Sequence, residues 1–415
     1  MTDAPTSAPT QSPDQGPDDG VASRPRLVTR LRLVPLAVLV ALTLVAGVVG
    51  FFNDGIISSE QPAAAAVPPE KDKNKAQDPE RVAEKASKKC TPGFNTNVRS
   101  EPWVGARKRA SEATYKANIK KENANYIKGA NGNYLFPDAY AKNFSQALGR
   151  ITQTSKQQKQ WAKYFKKAEK LTKAQGGVFK VVVVPATWEV HPNTLPKWAQ
   201  TLRGTNTLAK LMKAYPELPW VDTRKALLSA SKKNNVFVKV NSHWTNYGGY
   251  VAWKAIAKCL ATEASLDKVS VPAFSSIKKD PNYNEFVYFG VKPGKNAWTV
   301  PVLPAAPAST QTQTATNEDA PFDPYGGIDA VYLPALVDTP TAASDQTLLV
   351  YRDSTGSALS PLWRYAYQKS YQYHHGILST PAKPTPLATA IAAADPDVFL
   401  YVISERMLAG KPPRS

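Results

Sequence analysis

Residues 179–185 read FKVVVVP, four consecutive valines closed by a proline. Successive side chains of a strand point to opposite faces. A run this apolar therefore presents hydrocarbon on both, and predicts a strand buried inside a sheet with both faces covered. Helix-like stretches alternate with further short β-branched runs around it. A lysine-rich amphipathic stretch at 155–174 is expected to be helical, as are 223–233, 247–261 and 357–368, the third with Thr245 or Asn246 as its cap. Strands are expected at 236–240, 348–351 and 398–403. That order of elements is the pattern of a layered α/β domain with a mainly parallel sheet.

The domain occupies part of the 415-residue chain. Residues 1–32 open with Pro-, Ser-, Thr-, Asp- and Gln-rich sequence that cannot offset the entropy of ordering, and are expected to form a disordered cytoplasmic tail. Residues 33–52, LVPLAVLVALTLVAGVVGFF, carry no charge and are long enough for a transmembrane helix through the roughly 30 Å hydrocarbon layer. Arg24, Arg26, Arg30 and Arg32 precede this run, while Asp54 and Glu60 follow it. The asymmetry sets the N-terminus inside and the remainder outside, anchored in the cell membrane by a single pass. A cleaved signal peptide, with small residues at 63–66, is the alternative, although signal-peptide apolar cores run only about 7 to 15 residues. Residues 53–89 read as a stalk with a short helix near 78–87, and 90–415 as the folded domain. Within it a Pro-, Ala-, Thr- and Gln-rich tract at 300–320 is expected to be an insertion or lid.

Formal net charge is +19, and the first 54 residues hold four Arg against five acids, so the excess lies beyond the membrane run. An exported basic domain meets anionic polymers such as an acidic polysaccharide, or the membrane surface, and not nucleic acid. The bland reading is a solubilising lysine surface. Cys90 and Cys259 are the only cysteines. Outside the cytoplasm they are open to forming one disulfide or to standing as two buried thiols. Neither sits in a CxxC, and no His or Cys spacing matches a zinc site, so neither metal nor cofactor is expected.

Histidine occurs only at 191, 243, 374 and 375. His243 lies in VNSHWTNYGGY, between an expected strand and an expected helix, where parallel sheets present functional side chains. His191, His374 and His375 read as loop or packing residues. Ser354, in LLVYRDSTGSALSPLW, falls directly after a buried strand and before a helix. That is a nucleophile's position, with helix-start N–H groups facing any oxyanion formed there; the ordinary alternative is a helix cap. A serine needs a base to react at neutral pH, and a His from a neighbouring strand end supplies one. Trp188, Trp244, Trp298 and Trp363 are either packing residues or platforms for sugar rings. Beside the Ser–His pair, Trp244, Asp353 and Arg352 are expected to contact substrate.

Six blocks in order across 126–408 resemble the alginate O-acetyltransferase family (AlgX/AlgJ-like). GANGNYLF is similar to the family's G-x-D-G-W-L-F block, and VVVVPATWEVHPNTLP to its buried strand and V-P-x-K-x-x-x-Y-P-E-x-L-P loop. VDTRKALLSA is similar to the helix before the signature, and VNSHWTNYGGYVAW to the D-T-H-W signature itself. RDSTGSALSPLW resembles the nucleophile block R-D-S-F-G, and ADPDVFLYVISERML the closing block. The resemblance implies an SGNH-hydrolase-like three-layer α/β/α fold, with Ser354 as acyl-accepting nucleophile, His243 as its base and position 241 as the orienting acid. Here position 241 is Asn, which accepts the Nδ1 proton but brings no charge. Thr187 stands where the family has the lysine of its V-P-x-K loop, so substrate contacts do not carry over. The resemblance also implies acetylation of an extracytoplasmic polysaccharide alongside a membrane-bound acyl-exporting partner. A carbohydrate acetyl esterase, or a glycan-binding protein with an impaired triad, is the alternative.

Overall fold

The valine run is a strand, β1 (Val178–Val184), inside an eight-stranded mixed sheet. The computed structural model describes residues 88–413 except 97, 99, 264, 282–283, 293–296, 315, 317 and 378–383. The expected tail (1–32), transmembrane helix (33–52) and stalk as far as residue 87 lie outside the described residues. Among the described residues no helix is long and apolar enough to cross a membrane.

The remaining strands of the sheet are β2 (Trp220–Val221), β3 (Thr310–Gln313), β4 (Glu318–Asp319), β5 (Ala335–Asp338), β6 (Ser344–Arg352), β7 (Tyr367–His374) and β8 (Val398–Ser404). Their spatial order is β2-β1-β8-β6-β7-β5-β3-β4. The first five are mutually parallel, and β5, β3 and β4 extend the sheet in antiparallel fashion. Every residue of β8 is buried, as the unbroken apolar run required.

Alternation along the strands sorts the core into two layers. Val182, Val184, Leu348, Val350, Leu400 and Val402 face one side, against helices α2 (Asn246–Leu260) and α3 (Ser360–Ala366). Val181, Val183, Leu349, Tyr351, Phe399 and Tyr401 face the other, against α1 (Ser155–Lys173) and α4 (Leu387–Ala394). Trp161 and Trp253, one in each helical layer, are fully buried. Each withdraws roughly 200 Å² from water, worth roughly 5 kcal/mol before entropy is subtracted. Thr154 opens α1 with a reciprocal capping box to Gln157, and Thr245 opens α2 by accepting from the Gly248 amide at 3.0 Å.

Three expectations change. Residues 236–240 are not a strand: Val236, Val238 and Val240 are buried, but Phe237 makes a lone bridge to Trp244, and the Val236 carbonyl accepts from the Thr245 amide at 2.9 Å. Val236 packs with α2, while Val240 packs with Phe136 and Phe286, so these valines are buried without joining a ladder. The helix expected at 357–368 ends at Ala366, where the Tyr-rich 367–374 segment enters the sheet as β7. Within 300–320 the chain carries part of the strand Trp298–Val302, which pairs with Ser276–Asp280, and then β3 and β4.

Cys90 and Cys259 form a disulfide that joins the first described residues to the end of α2 across 169 positions. Closing so long a loop restricts the unfolded chain more than the folded one. The double variant C90A/C259A is expected to lose about 4 kcal/mol of stability, seen as a lower urea midpoint than that of the oxidised protein. Unchanged midpoints would show that the crosslink does not hold the two ends together.

Candidate active site

The carboxyl end of β6 delivers Arg352, Asp353 and Ser354 in succession, and the chain turns at once into the 3-10 segment Ser354–Ala358. Asp353 makes this turn. It accepts from the Thr355 amide at 2.9 Å and the Ser404 amide at 3.0 Å, and its Oδ2 lies 3.2 Å from His375 Nε2. Burial raises its carboxyl pKa, but His375, the Thr355 hydroxyl and the Ser404 amide outweigh that and hold it well below the usual carboxylate range. Arg352 lies wholly buried behind the turn. It donates to Gln372 Oε1 (3.0 Å), Ser357 Oγ (3.1 Å), the Ile328 carbonyl (2.6 Å) and the Asp353 carbonyl (3.3 Å). A side chain at Gly356 would place its Cβ 2.6 Å from Arg352 Cδ, so the glycine lets the turn close over the guanidinium. Ser354 is thereby left exposed. The helix-cap alternative for Ser354 falls away, because Asp353 is the residue that caps.

His243 stands on the irregular loop before α2, not at the end of a strand. Trp244 holds it there: its indole, 0% exposed, donates to the Thr355 carbonyl at 2.8 Å and ties the loop to the nucleophile turn. Gly249 brings α2 against that turn, where a Cβ would come 2.6 Å from the Ala358 carbonyl oxygen. The outcome is a contact of 2.9 Å between His243 Nε2 and Ser354 Oγ, with His243 Nδ1 3.0 Å from Asn241 Oδ1. Asn241 Oδ1 also accepts from the His243 amide at 2.8 Å, which fixes the carboxamide oxygen toward the ring. With the Nδ1–H donated to Asn241 Oδ1, Nε2 is free to accept from the serine hydroxyl.

Three expected substrate contacts are therefore corrected. Trp244, Asp353 and Arg352 are buried, and their polar atoms are engaged with the chain itself. They build the turn and do not face an arriving substrate. His375 is buried against Asp353, burial lowers the pKa of His374 to about 4, and His191 packs edge-on against Phe237. Trp188, Trp298 and Trp363 are buried as well, so none of the four tryptophans presents a sugar platform.

Sequence reasoning missed Glu285. Its Oε1 lies 3.8 Å from His243 Nδ1, and its Oε2 accepts from the Ser242 amide at 2.6 Å. Burial raises its pKa, but His243, Arg406 and the Ser242 amide prevail and bring it down to about 2. Nothing in NYNEFVYFG marks this acid as part of a site, because it reaches the imidazole only through tertiary packing. Arg406, from the closing block, donates to Ser242 Oγ at 2.9 Å. Its neighbour Glu405 is buried, accepts from the Ala186 amide at 3.0 Å and from Asn206, and has its pKa raised by burial and by Glu189 to about 8. Glu189 in turn pairs with Arg203 and Arg224, so this second charged cluster ties the 186–190 turn to the segment that follows β8. Among the described residues no group of His, Cys, Asp and Glu is arranged to hold a metal ion.

Residues 140–320 match a family described as SGNH hydrolase-like domain, acetyltransferase AlgX, a span that contains Asn241, His243 and Glu285 and ends before Ser354. No curated protein matches the chain. A DHHW family protein from Eubacterium siraeum is similar in structure, with 13% identity over 70% of this chain and 94% of that one and a TM-score of 0.50. The O-acetyltransferase domain of Pseudomonas putida AlgJ shares 14% identity over 69% of this chain and 93% of its own, with a TM-score of 0.41. Bacillus cereus PatB1 shares 12% over 63% and 93%, with a TM-score of 0.47.

Proposed function

We propose that this protein, whose residues 140–320 match the SGNH hydrolase-like acetyltransferase family model, transfers an acetyl group to a hydroxyl of an extracytoplasmic polysaccharide through an acetyl-Ser354 intermediate. The observation that carries the proposal is the continuous chain from Ser354 Oγ through His243 to Asn241 Oδ1, at 2.9 and 3.0 Å. In the first half-reaction Ser354 Oγ attacks the donor's acetyl carbonyl while His243 Nε2 takes the hydroxyl proton. The tetrahedral oxyanion meets the Ser354 amide. The Thr355 and Gly356 amides are committed to Asp353, so Ser354's is the first-turn donor left for that task. Collapse expels the leaving group with the proton from His243. In the second half-reaction a sugar hydroxyl gives its proton to His243 and attacks the ester; the acyl–Oγ bond breaks, His243 returns the proton to Ser354 Oγ, and the sugar leaves acetylated.

The charge-free run at 33–52 and the net charge of +19 support the setting of this chemistry: a domain tethered outside the membrane, beside a membrane-bound partner that exports the acyl group, acting on an anionic glycan. Transferase and esterase part on what attacks the ester. Full-length protein given 4-nitrophenyl acetate and an acidic oligosaccharide is expected to put acetyl on the oligosaccharide faster than free acetate appears. Acetate alone, at the same rate with and without the oligosaccharide, would reassign the protein as an esterase.

A further inference from the structure

We propose that Glu285 is the positioning carboxylate of this site and supplies the negative charge that Asn241 lacks. The inference rests on the Ser354–His243 chemistry proposed above and adds a residue that neither motif contains. Two oxygen acceptors face His243 Nδ1: Asn241 Oδ1 at 3.0 Å and Glu285 Oε1 at 3.8 Å. The nearer is neutral and fixes the tautomer. The farther is ionised and lies close enough to stabilise the imidazolium when His243 takes the serine proton.

Glu285 cannot drift from this position without disrupting its surroundings. Its amide donates to the Val240 carbonyl at 2.9 Å, and its carboxylate receives the Ser242 amide at 2.6 Å. It is therefore pinned to residues on both sides of Asn241. The next residue, Phe286, is fully buried and packs on Phe136 with ring centroids 4.8 Å apart. Phe136 and Val240 share that small cluster, so one packing unit sets both the 241 loop and the acid. The side chains of His243 and Glu285 are only 22% and 25% exposed, which limits solvent screening between them. The other charged groups near the imidazole are Arg406, which reaches Ser242 Oγ and favours the ionised form of Glu285, and Asp353, which is turned away toward His375 and Ser404.

Proton movements balance without Glu285 gaining one. The hydroxyl proton passes from Ser354 Oγ to Nε2, the Nδ1 proton stays between Asn241 and Glu285, and the Nε2 proton leaves with the departing group. Glu285 changes the energy of the intermediate charge, not the path of the proton.

Glu285→Gln retains an oxygen for the Ser242 amide and removes only the charge, so the fold is expected to persist. The ¹⁵N resonances of the His243 imidazole, assigned by the signals lost in His243→Gln, are expected to move in Glu285→Gln, because the charge facing Nδ1 is gone. With 4-nitrophenyl acetate at neutral pH, kcat is expected to drop about 10²-fold at unchanged KM. Adding Asn241→Asp to Glu285→Gln is expected to restore kcat to within about tenfold of wild type, since the carboxylate is then supplied from the nearer position. A merely structural Glu285 would lose activity in step with unfolding, leave those resonances unmoved and gain nothing from Asn241→Asp; any of these overturns the proposal. Equal turnover by Ser354→Ala and wild type would overturn the acyl-enzyme reading instead, and the imidazole resonances, which need no turnover, would still decide on Glu285.

Discussion

Ser354→Ala is expected to lower turnover of 4-nitrophenyl acetate by as much as about 10⁶-fold, to the residual rate that binding and the oxyanion donor alone provide. The size follows from the position of the hydroxyl. It is the exposed group at the end of β6, its Oγ lies 2.9 Å from His243 Nε2, and among the described residues no other hydroxyl bonds to that nitrogen. Without it no covalent intermediate forms, and water attack assisted by His243 is the remaining route. The stability of the variant is expected to stay within about 0.5 kcal/mol of wild type, because Asp353 and not Ser354 caps the turn. That separation makes the result readable: loss of activity with an unmoved melting temperature isolates chemistry from folding. Activity equal to wild type would sink the nucleophile assignment.

Arg352→Ala is expected to do the reverse, destabilising the protein by about 3–5 kcal/mol while leaving the KM of the surviving folded fraction for 4-nitrophenyl acetate unchanged. The guanidinium is fully buried and bridges Gln372 of β7, Ser357 of the nucleophile turn and the Ile328 carbonyl. Its removal strands these acceptors in the interior and leaves a cavity beneath Gly356. Burial lowers the pKa of Arg352, and the charges of Asp353, Asp329 and Asp323 work against that shift. Wild-type melting combined with a raised KM would return Arg352 to the role of a substrate contact.

Both experiments bear on how far the site was legible before the fold was seen. The strand-turn-helix character of LLVYRDSTGSAL was visible because a buried strand followed by Asp, Ser, Thr and Gly is a local pattern, set by residues within one turn of each other. The pairing of Ser354 with His243, 111 positions apart, was suggested by the serine's need for a base, and the resemblance of two blocks to the same family assigned the roles. The direction in which Trp244, Asp353 and Arg352 point was not legible. Polar residues beside a nucleophile either face the substrate or hold the turn, and burial decides between the two. The 236–240 run misled for a related reason: alternating valines require burial, and here α2 for Val236 and the Phe136–Phe286 cluster for Val240 provide it without strand pairing.

By itself the sequence determined the elements whose periodicity is strong, β1, β8, α1 and α2, and hence the two-sided parallel core at whose carboxyl ends Ser354 is presented. Periodicity is a short-range property, written residue by residue. Tertiary structure alone decided that Cys90 meets Cys259, that the 367–374 segment joins the sheet, and that Glu285 stands 3.8 Å from an imidazole whose expected acid is an amide. Those contacts depend on how distant segments pack, in the last case on Phe136, Val240 and Phe286 burying one another, and no local pattern encodes that choice.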